Sequence, residues 1–267
     1  MATFNKRGYK APKEKAEKEV NTFVDDIEKI DVDEKNSATA KAFDTLDQTA
    51  SKAEDFAAKN QKAILGFLTV VALATVSYLL YQKFIAEPKQ DNAADELFVA
   101  QQNFQKAVDD ATGTKSDSLF NLVLKGAEGK FGAVKIAEEY SGTDAGNQAN
   151  YLAGIAYLNT GKYAEAITSL EKFKSSDILL SALATGAIGD AYAQQNKQKE
   201  ALEFYVKAAD ANKTNELTRP RFLLKAGKTA LALGNKADAL KYFTEIKDSF
   251  DNTPEGQNID ALIGLAQ

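Results

Sequence analysis

The chain contains no cysteine and no histidine among its 267 residues. These absences exclude disulfides, thiol nucleophiles, imidazole bases and every zinc site that uses sulfur or imidazole ligands. A catalytic site would therefore need a carboxylate pair or an activated lysine. Glu138 and Glu139 do not form such a pair, because adjacent residues point to different faces of a helix. The sequence predicts a noncatalytic protein without a cofactor or a metal.

Neither sign of charge is in large excess. The chain has 33 lysines and arginines against 38 aspartates and glutamates, and both kinds are spread along its length. A nucleic-acid-binding protein would carry a basic patch, which this sequence lacks. We therefore expect protein partners and no nucleic acid.

One long apolar segment interrupts the otherwise charged and alanine-rich chain. Residues 63–81 contain no charged side chain, and ten of these 19 residues are leucine, isoleucine, valine or phenylalanine. As a helix the segment would span roughly 28 Å, which matches a bilayer core. A helix buried in a soluble core would keep a polar stripe, and a cleaved signal would start near the amino terminus. Residues 62–84 are therefore predicted to be a single uncleaved transmembrane anchor.

Lysines near the anchor give only a slight bias of orientation. Lys52, Lys59 and Lys62 precede it, whereas Lys83 and Lys89 follow it. The positive-inside rule thus favours a cytoplasmic amino terminus by one charge. In a bacterium this would place the anchor in the inner membrane and the carboxyl-terminal part in the periplasm.

Residues 1–61 form a charged tail that is predicted to be cytoplasmic. Its mixed-charge start, which includes Pro12, predicts disorder. Two amphipathic helices are then predicted from apolar residues at helical spacing: Val20, Phe23, Val24, Ile27 and Ile30 in the first, and Phe43, Leu46, Ala50, Ala53 and Ala57 in the second. These helices either lie on the membrane or on each other, or they form a short coiled coil or a docking helix for a cytoplasmic partner.

Three segments in the second half of the chain align with one another. They span residues 150–173, 185–208 and 222–246. Two positions coincide in all three, with steps of 35 and then 38 residues at both: Gly154, Gly189 and Gly227 at one, and Ala166, Ala201 and Ala239 at the other. This pattern resembles the tetratricopeptide repeat, a helix pair of about 34 residues. The sequence therefore predicts an all-α fold in which a transmembrane helix precedes a solenoid of helix pairs.

The repeated positions have physical reasons. Glycine in the first helix of a pair and alanine in the second allow the two helices to cross closely. Gly161 and Gly234 suit the left-handed residue that ends the first helix, and Asn196 is the usual substitute there. Bulky residues are predicted to bury the following turn of the second helix: Leu170, Tyr205 and Phe243.

Further helices are predicted on both sides of the repeats, which extends the repeat domain to residues 91–267. Residues 93–110 predict a helix with these residues on one side: Leu97, Phe98, Gln101, Phe104 and Val108. A second helix is predicted to end near Tyr140. The glycine-rich residues 126–132 are predicted to be a break between helices, because no strand precedes them and no GK[ST] motif follows. Pro254 is predicted to start a capping helix that covers the last repeat with Ile259, Leu262, Ile263 and Leu265.

The order of tail, anchor and repeats resembles the tetratricopeptide-repeat ancillary subunit of the bacterial Sec translocon. The similar stretches are EEYSGTDAGNQANYLAGIAYLNTGKY and SALATGAIGDAYAQQN. Within the first of them, YSGTDAGNQA is also similar to the repeat joints of outer-membrane assembly lipoproteins, but those carry a lipidated cysteine that this chain lacks. The resemblance implies a periplasmic repeat domain that hands exported proteins to chaperones, often beside a membrane-anchored prolyl isomerase. It implies nothing about residues 1–61.

In a solenoid of this kind the first helix of each pair lines a concave groove that binds extended peptides or partner helices. The repeat register places these residues in the groove: Tyr151, Ile155, Asn159, Asp190, Gln194, Arg221 and Lys228. The alternative is that they are ordinary solvated helix surface. We expect a membrane-anchored adaptor or chaperone-like accessory subunit of the Sec translocon, with translocon subunits, a prolyl isomerase or exported chains as partners. The alternative function is a structural scaffold in an envelope or cell-division complex.

Overall fold

The structure, a computed structural model, describes residues 38–110, 113 and 115–267, and it describes the side chains from Lys41 onward. The chain divides into two units between Leu73 and Ala74, which are treated separately below. The first predicted amphipathic helix and the predicted disordered start lie outside the described residues. The predicted domain boundaries at residues 61, 84 and 91 stay predictions.

Helix α1, Ala38–Tyr81, is 44 residues long. It joins the second predicted amphipathic segment to the apolar segment without a break, because no proline and no glycine occurs between Ala38 and Leu65. In the first unit its apolar side chains lie on the surface, as at Phe43, Leu46 and Phe56. No other described residue of this unit buries these side chains.

A single helical stretch in the described part of the chain is long and apolar enough to cross a membrane. It lies within Lys41–Asp109, and its most apolar window of 18 residues has a mean hydropathy of 2.2. No part of that window is buried. A helix in a soluble core would be mostly buried, so length, composition and exposure agree with the predicted anchor.

The second unit contains a π-helical turn at Gln82–Ala86 and ten further helices among its described residues. These are α2 (Glu87–Asp109), α3 (Ser116–Lys125), α4 (Ala133–Glu139), α5 (Asp144–Asn159), α6 (Tyr163–Lys172), α7 (Ile178–Gln194), α8 (Gln198–Asp210), α9 (Arg219–Ala232), α10 (Lys236–Ser249) and α11 (Ile259–Ala266). The three predicted repeats are the pairs α5/α6, α7/α8 and α9/α10. The predicted all-α fold with helix-pair repeats is confirmed.

The turn inside each pair has the predicted left-handed residue. Gly161 has a φ of 76°, Asn196 of 59° and Gly234 of 78°. Asparagine tolerates this backbone region better than other residues that carry a Cβ. The first helix of every pair therefore stops at the position that the sequence alignment indicates.

The three aligned glycines lie where the helices of each pair cross. A Cβ added to Gly154 would come within 2.5 Å of Leu170 Cγ, and one added to Gly189 within 2.7 Å of the Tyr205 ring. At Gly227 the same atom would lie 2.3 Å from the Phe243 ring. The aligned alanines of α6, α8 and α10 are fully buried. The predicted close crossings and the predicted burial of the following turn are both confirmed.

The helices before the repeats only partly follow the prediction. Residues 126–132 separate α3 from α4 as expected, and α4 ends at Glu139. On α2, Leu97 is buried and Phe104 packs against the core, whereas Phe98 is 58% exposed and Val108 57% exposed, so the five residues predicted on one side do not form one buried face. The buried stripe is formed by small residues around one leucine: Ala93, Leu97, Ala100, Asn103 and Ala107. Small residues allow α2 to approach α3 and α5 closely, which leaves the larger Phe98 and Val108 outside.

The carboxyl-terminal helix also differs from the prediction at its start. Helix α11 begins at Ile259, not near Pro254, because Asn258 has a φ of 66° and interrupts any earlier helix. Ile259 is buried and Leu262 packs against the same core. Leu265 is 63% exposed, so its predicted role in covering the repeat was wrong.

Glu96 connects α2 by hydrogen bonds to the segment between α3 and α4. Its carboxylate accepts a hydrogen bond from the Phe131 backbone N–H (2.8 Å) and one from Lys130 Nζ (3.1 Å). The Phe131 hydrogen bond and then the Lys130 interactions lower the pKa of Glu96 below its usual value of 4.5, against the effect of burial. A carboxyl group with a lowered pKa stabilises the fold at neutral pH and loses that contribution as the pH falls through the lowered value.

The Glu96→Gln variant should therefore unfold more easily than the wild type at pH 7, by about 1–2 kcal/mol. The difference should shrink as the pH falls below 4.5 and vanish below the lowered pKa of Glu96, where the carboxylate of the folded wild type becomes protonated. Thermal unfolding of the detergent-solubilised chain at pH 7 and at acid pH measures both effects. Glu139→Gln, at an exposed position on α4, is the matched control. A constant difference between wild type and Glu96→Gln at both pH values would contradict this account.

Candidate binding face

The outward side chains of the first helices, α2, α5, α7 and α9, form a surface that we call the first-helix face. Two polar contacts connect neighbouring helices on it. Gln101 Nε2 on α2 donates to Gln148 Oε1 on α5 at 3.0 Å. Lys225 Nζ on α9 donates to Asp190 Oδ1 on α7 at 2.6 Å. Polar contacts on this face therefore link α2 to α5 and α7 to α9.

Asp190 is the most connected of the predicted groove residues. Besides Lys225, it accepts a hydrogen bond of 2.7 Å from the Tyr205 hydroxyl on α8. Burial first, and then the charge of Asp190, raise the pKa of Tyr205, so this hydroxyl keeps its proton and remains a donor. Asp190 thus ties α7 to α8 and α9, and its carboxylate is already engaged by the chain's own residues.

The other predicted groove residues divide into packed and exposed groups. Tyr151 is half-buried, with its ring centre 5.1 Å from that of Phe173, and Ile155 packs against the core between α6 and α7. Asn159 is exposed, and its amide donates to the Ile155 carbonyl at 2.8 Å. The remaining three are exposed and free to meet a partner: Gln194, Arg221 and Lys228. The exposed groove residues are therefore amides and cations.

Two clefts lie elsewhere, on the side where first helices are flanked by second helices. The first cleft encloses 970 Å³ over α5, between α4 and α6. The second encloses 700 Å³ over α7, between α6 and α8. None of the seven predicted groove residues lines either cleft.

The first cleft has an acidic lining. Glu138 and Glu165 lie on its opposite walls, and Tyr157 contributes to its floor. Burial raises the pKa of Tyr157, and the charges of Glu165 and then Glu138 raise it further. Both carboxylates are therefore close enough to act on the same hydroxyl, which stays protonated at neutral pH.

Sequence reasoning missed Lys225, Gln101 and Gln148 on the first-helix face and both clefts. The alignment was built on glycine and alanine positions, and Lys225 occupies a position where the other two repeats have Leu152 and Ala187. A search for opposite charges about one repeat apart could have found the pair of Asp190 and Lys225. The clefts depend on the spacing between second helices, which no local pattern encodes.

Comparison with known families agrees with this architecture. Two family models, each described as a tetratricopeptide repeat, match residues 146–216 and 222–253. Except for the first residues of α5 and α9, the matched ranges cover the pairs α5/α6, α7/α8 and α9/α10. A search of curated proteins finds no match. The chain therefore carries tetratricopeptide repeats, which are in general noncatalytic modules for protein–protein interaction.

Proposed function

We propose that the chain is a membrane-anchored, noncatalytic protein-binding module that works through its first-helix face. The observation that carries the proposal is the exposed set of Asn159, Gln194, Arg221 and Lys228 on the first helices of tetratricopeptide repeats. Surfaces of this kind bind extended segments or helices of partner proteins. The absence of histidine and cysteine from the sequence supports the noncatalytic part.

The more specific proposal is an adaptor or chaperone-like accessory subunit of the Sec translocon in the bacterial inner membrane. Its support is the resemblance in the order of tail, apolar segment and repeats. In this arrangement the amino terminus is cytoplasmic and the repeats act on exported chains in the periplasm, beside translocon subunits or a membrane-anchored prolyl isomerase. The competing proposal is a structural scaffold of an envelope or cell-division complex. The observation that favours this alternative is the set of exposed apolar side chains on α1. In a scaffold these side chains, and not the repeats, would make the main contacts with partners.

The chain's lack of cysteine makes its topology directly testable, because an introduced cysteine is the only thiol. We expect Gln194→Cys to react with a membrane-impermeant maleimide once the outer membrane alone is opened. A cysteine at Thr49, in the predicted cytoplasmic tail, should react only after the inner membrane is also broken. The reverse pattern of labelling would overturn the periplasmic placement.

Site-specific photocrosslinking in cells separates the two functions. A photoreactive residue at Asn159, Gln194 or Lys228 should capture translocon subunits or exported chains if the adaptor proposal is right. The control positions are Phe43 and Leu46 on α1, which are exposed as well. Crosslinks from the α1 positions with none from the first-helix face would reject the adaptor and favour the scaffold.

A further inference from the structure

In the third repeat, an arginine side chain of the chain itself fills the space between two second helices. Arg219, at the start of α9, is only 7% exposed. Its Nε donates to Glu245 Oε1 on α10 at 2.6 Å, and Nη1 donates to the Ala209 carbonyl at 3.0 Å and to Asp210 Oδ1 at 3.1 Å on α8. One guanidinium therefore bridges the two second helices that flank α9. Its charge is balanced by two carboxylates from the same chain.

The second repeat has different residues at all of these positions. Arg219 lies eight residues before the aligned glycine of its repeat, Gly227. The residue eight positions before Gly189 in the second repeat is Ser181. Counted from the aligned alanines, two further replacements follow: Glu245 corresponds to Lys207, and Asp210 corresponds to Ser175. Where the third repeat has a cation between two anions, the second has a lysine and two serines.

The second cleft occupies the corresponding place in the second repeat. Its lining includes all three of the replaced positions together with Lys174. Ser181 is too short to reach across the space that a guanidinium bridges in the third repeat. The second repeat therefore has no counterpart of the Arg219 ion pairs, and the 700 Å³ cleft occupies the corresponding space.

The two lysines of this cleft have no anionic partner among the described residues. Lys174 Nζ donates to the backbone carbonyl of Glu171 at 3.2 Å. Lys207 Nζ lies 5.8 Å from the centre of the Phe204 ring. Hydroxyl groups from Ser176 and Thr185 line the same cleft, and its apolar floor is made by Leu170, Phe173, Ile188 and Phe204. The lining thus combines two lysines, the single carboxylate of Glu171, hydroxyl donors and aromatic surface.

The first repeat provides a contrast within the same chain. Lys172 corresponds to Lys207 and Gly146 to Ser181, and the first cleft is open as well. Its lining, however, also contains Glu138, Asp144 and Glu165, so carboxylates outnumber the lysine. Of the two open clefts, only the second has an excess of positive charge.

We propose that the second cleft binds an acidic, partly apolar segment of a partner protein. A carboxylate of that segment lies between Lys174 and Lys207, in the space that corresponds to the Arg219 side chain of the third repeat. Its neighbouring apolar residue packs on Phe173 and Phe204. Charge complementarity selects the acidic segment, and the aromatic floor supplies apolar contact area. This site goes beyond the proposed function, because it lies on a different surface from the first-helix face.

The test compares two double variants of the full detergent-solubilised chain on arrays of short synthetic peptides. Each peptide sequence is present in three versions, with glutamate, glutamine or lysine at the same positions beside phenylalanine or leucine. We expect the wild type to retain the glutamate versions preferentially. Lys174→Gln with Lys207→Gln should weaken that retention roughly tenfold, as the loss of charge-assisted hydrogen bonds implies. The control, Arg221→Gln with Lys228→Gln, removes the same charge from the first-helix face and should keep the preference.

The outcomes separate this proposal from the proposed function. If only the control variant loses the preference, acidic segments bind the first-helix face; the second cleft is then rejected and the proposed function stands. Equal loss in both variants, or no preference in the wild type, also rejects the cleft as an acidic-segment site. The four side chains changed in the two double variants are all exposed. Both variants should therefore keep the wild-type thermal unfolding curve.

A chemical crosslink gives a second, independent measurement. A glutamate peptide carrying a thiol-reactive group should modify Thr185→Cys, inside the second cleft, faster than Lys228→Cys on the first-helix face. Unlabelled glutamate peptide should slow the reaction at Thr185→Cys, whereas the lysine version should not. Equal rates at both cysteines would overturn the assignment.

Discussion

Phe243→Ala is expected to lower the free energy of unfolding of the last helix pair by about 4 kcal/mol, the typical cost of removing a buried aromatic ring. Phe243 is 0% exposed and its ring lies against Gly227 at the crossing of α9 and α10. Gly227 has no side chain that could move into the space vacated by the ring. Denaturant unfolding of the solubilised chain, followed by hydrogen exchange in α9 and α10, measures the loss.

The control for this prediction is Phe98→Ala. Phe98 is the same residue type in the same unit but is 58% exposed, so its removal should change stability by less than about 0.5 kcal/mol. A double variant sharpens the test. Gly227→Ala alone should destabilise the pair, because its Cβ would lie 2.3 Å from the Phe243 ring, whereas in the Phe243→Ala background the same change should cost much less. Additive effects of the two changes would show that the two residues do not share a crossing.

Arg219→Ala should cost about 3–5 kcal/mol, because it leaves a partly buried carboxylate at Glu245 and the Ala209 carbonyl without their donor. The same change combined with Glu245→Leu should cost less than the single variant, since the more buried of the two carboxylates is then removed and only the solvated Asp210 loses its partner. Both variants can be compared by thermal unfolding of the solubilised chain.

An exposed ion pair between α10 and α11 is the control for Arg219. Lys247 and Asp260 lie 2.5 Å apart on the surface, and Lys247→Ala should leave the unfolding temperature almost unchanged. If Arg219→Ala were as mild as Lys247→Ala, the bridge between α8 and α10 would contribute nothing to stability.

The sequence was sufficient to predict features that depend on one local requirement. Gly161, Asn196 and Gly234 were predicted from the backbone geometry of a helix end. Gly154 and its counterparts were predicted because only a residue without a side chain fits a close crossing. Such requirements act on single positions, so they remain visible in a single sequence.

Features that depend on competition between surfaces could not be predicted. On α2 the apolar stripe through Phe98 and the small-residue stripe through Ala93 both have helical spacing, and the packing partners decide which is buried. Pro254 is compatible with a helix start, but Asn258 adopts a left-handed conformation that ends the preceding turn. The pairing of Asp190 with Lys225 joins residues at different repeat positions, which an alignment of repeats conceals. Whether the predicted groove residues bind a partner stays a prediction.

The three crossings have a consequence for the order of the repeats. Each aligned glycine faces a different side chain: a leucine in the first pair, a tyrosine in the second and a phenylalanine in the third. The tyrosine also needs the carboxylate of Asp190 on its own first helix, and neither other first helix has an acid there. The repeats are therefore not interchangeable modules. Exchanging one second helix for another would leave a void or a buried hydroxyl without its acceptor, so the linear order of this solenoid is fixed by the fit at each crossing.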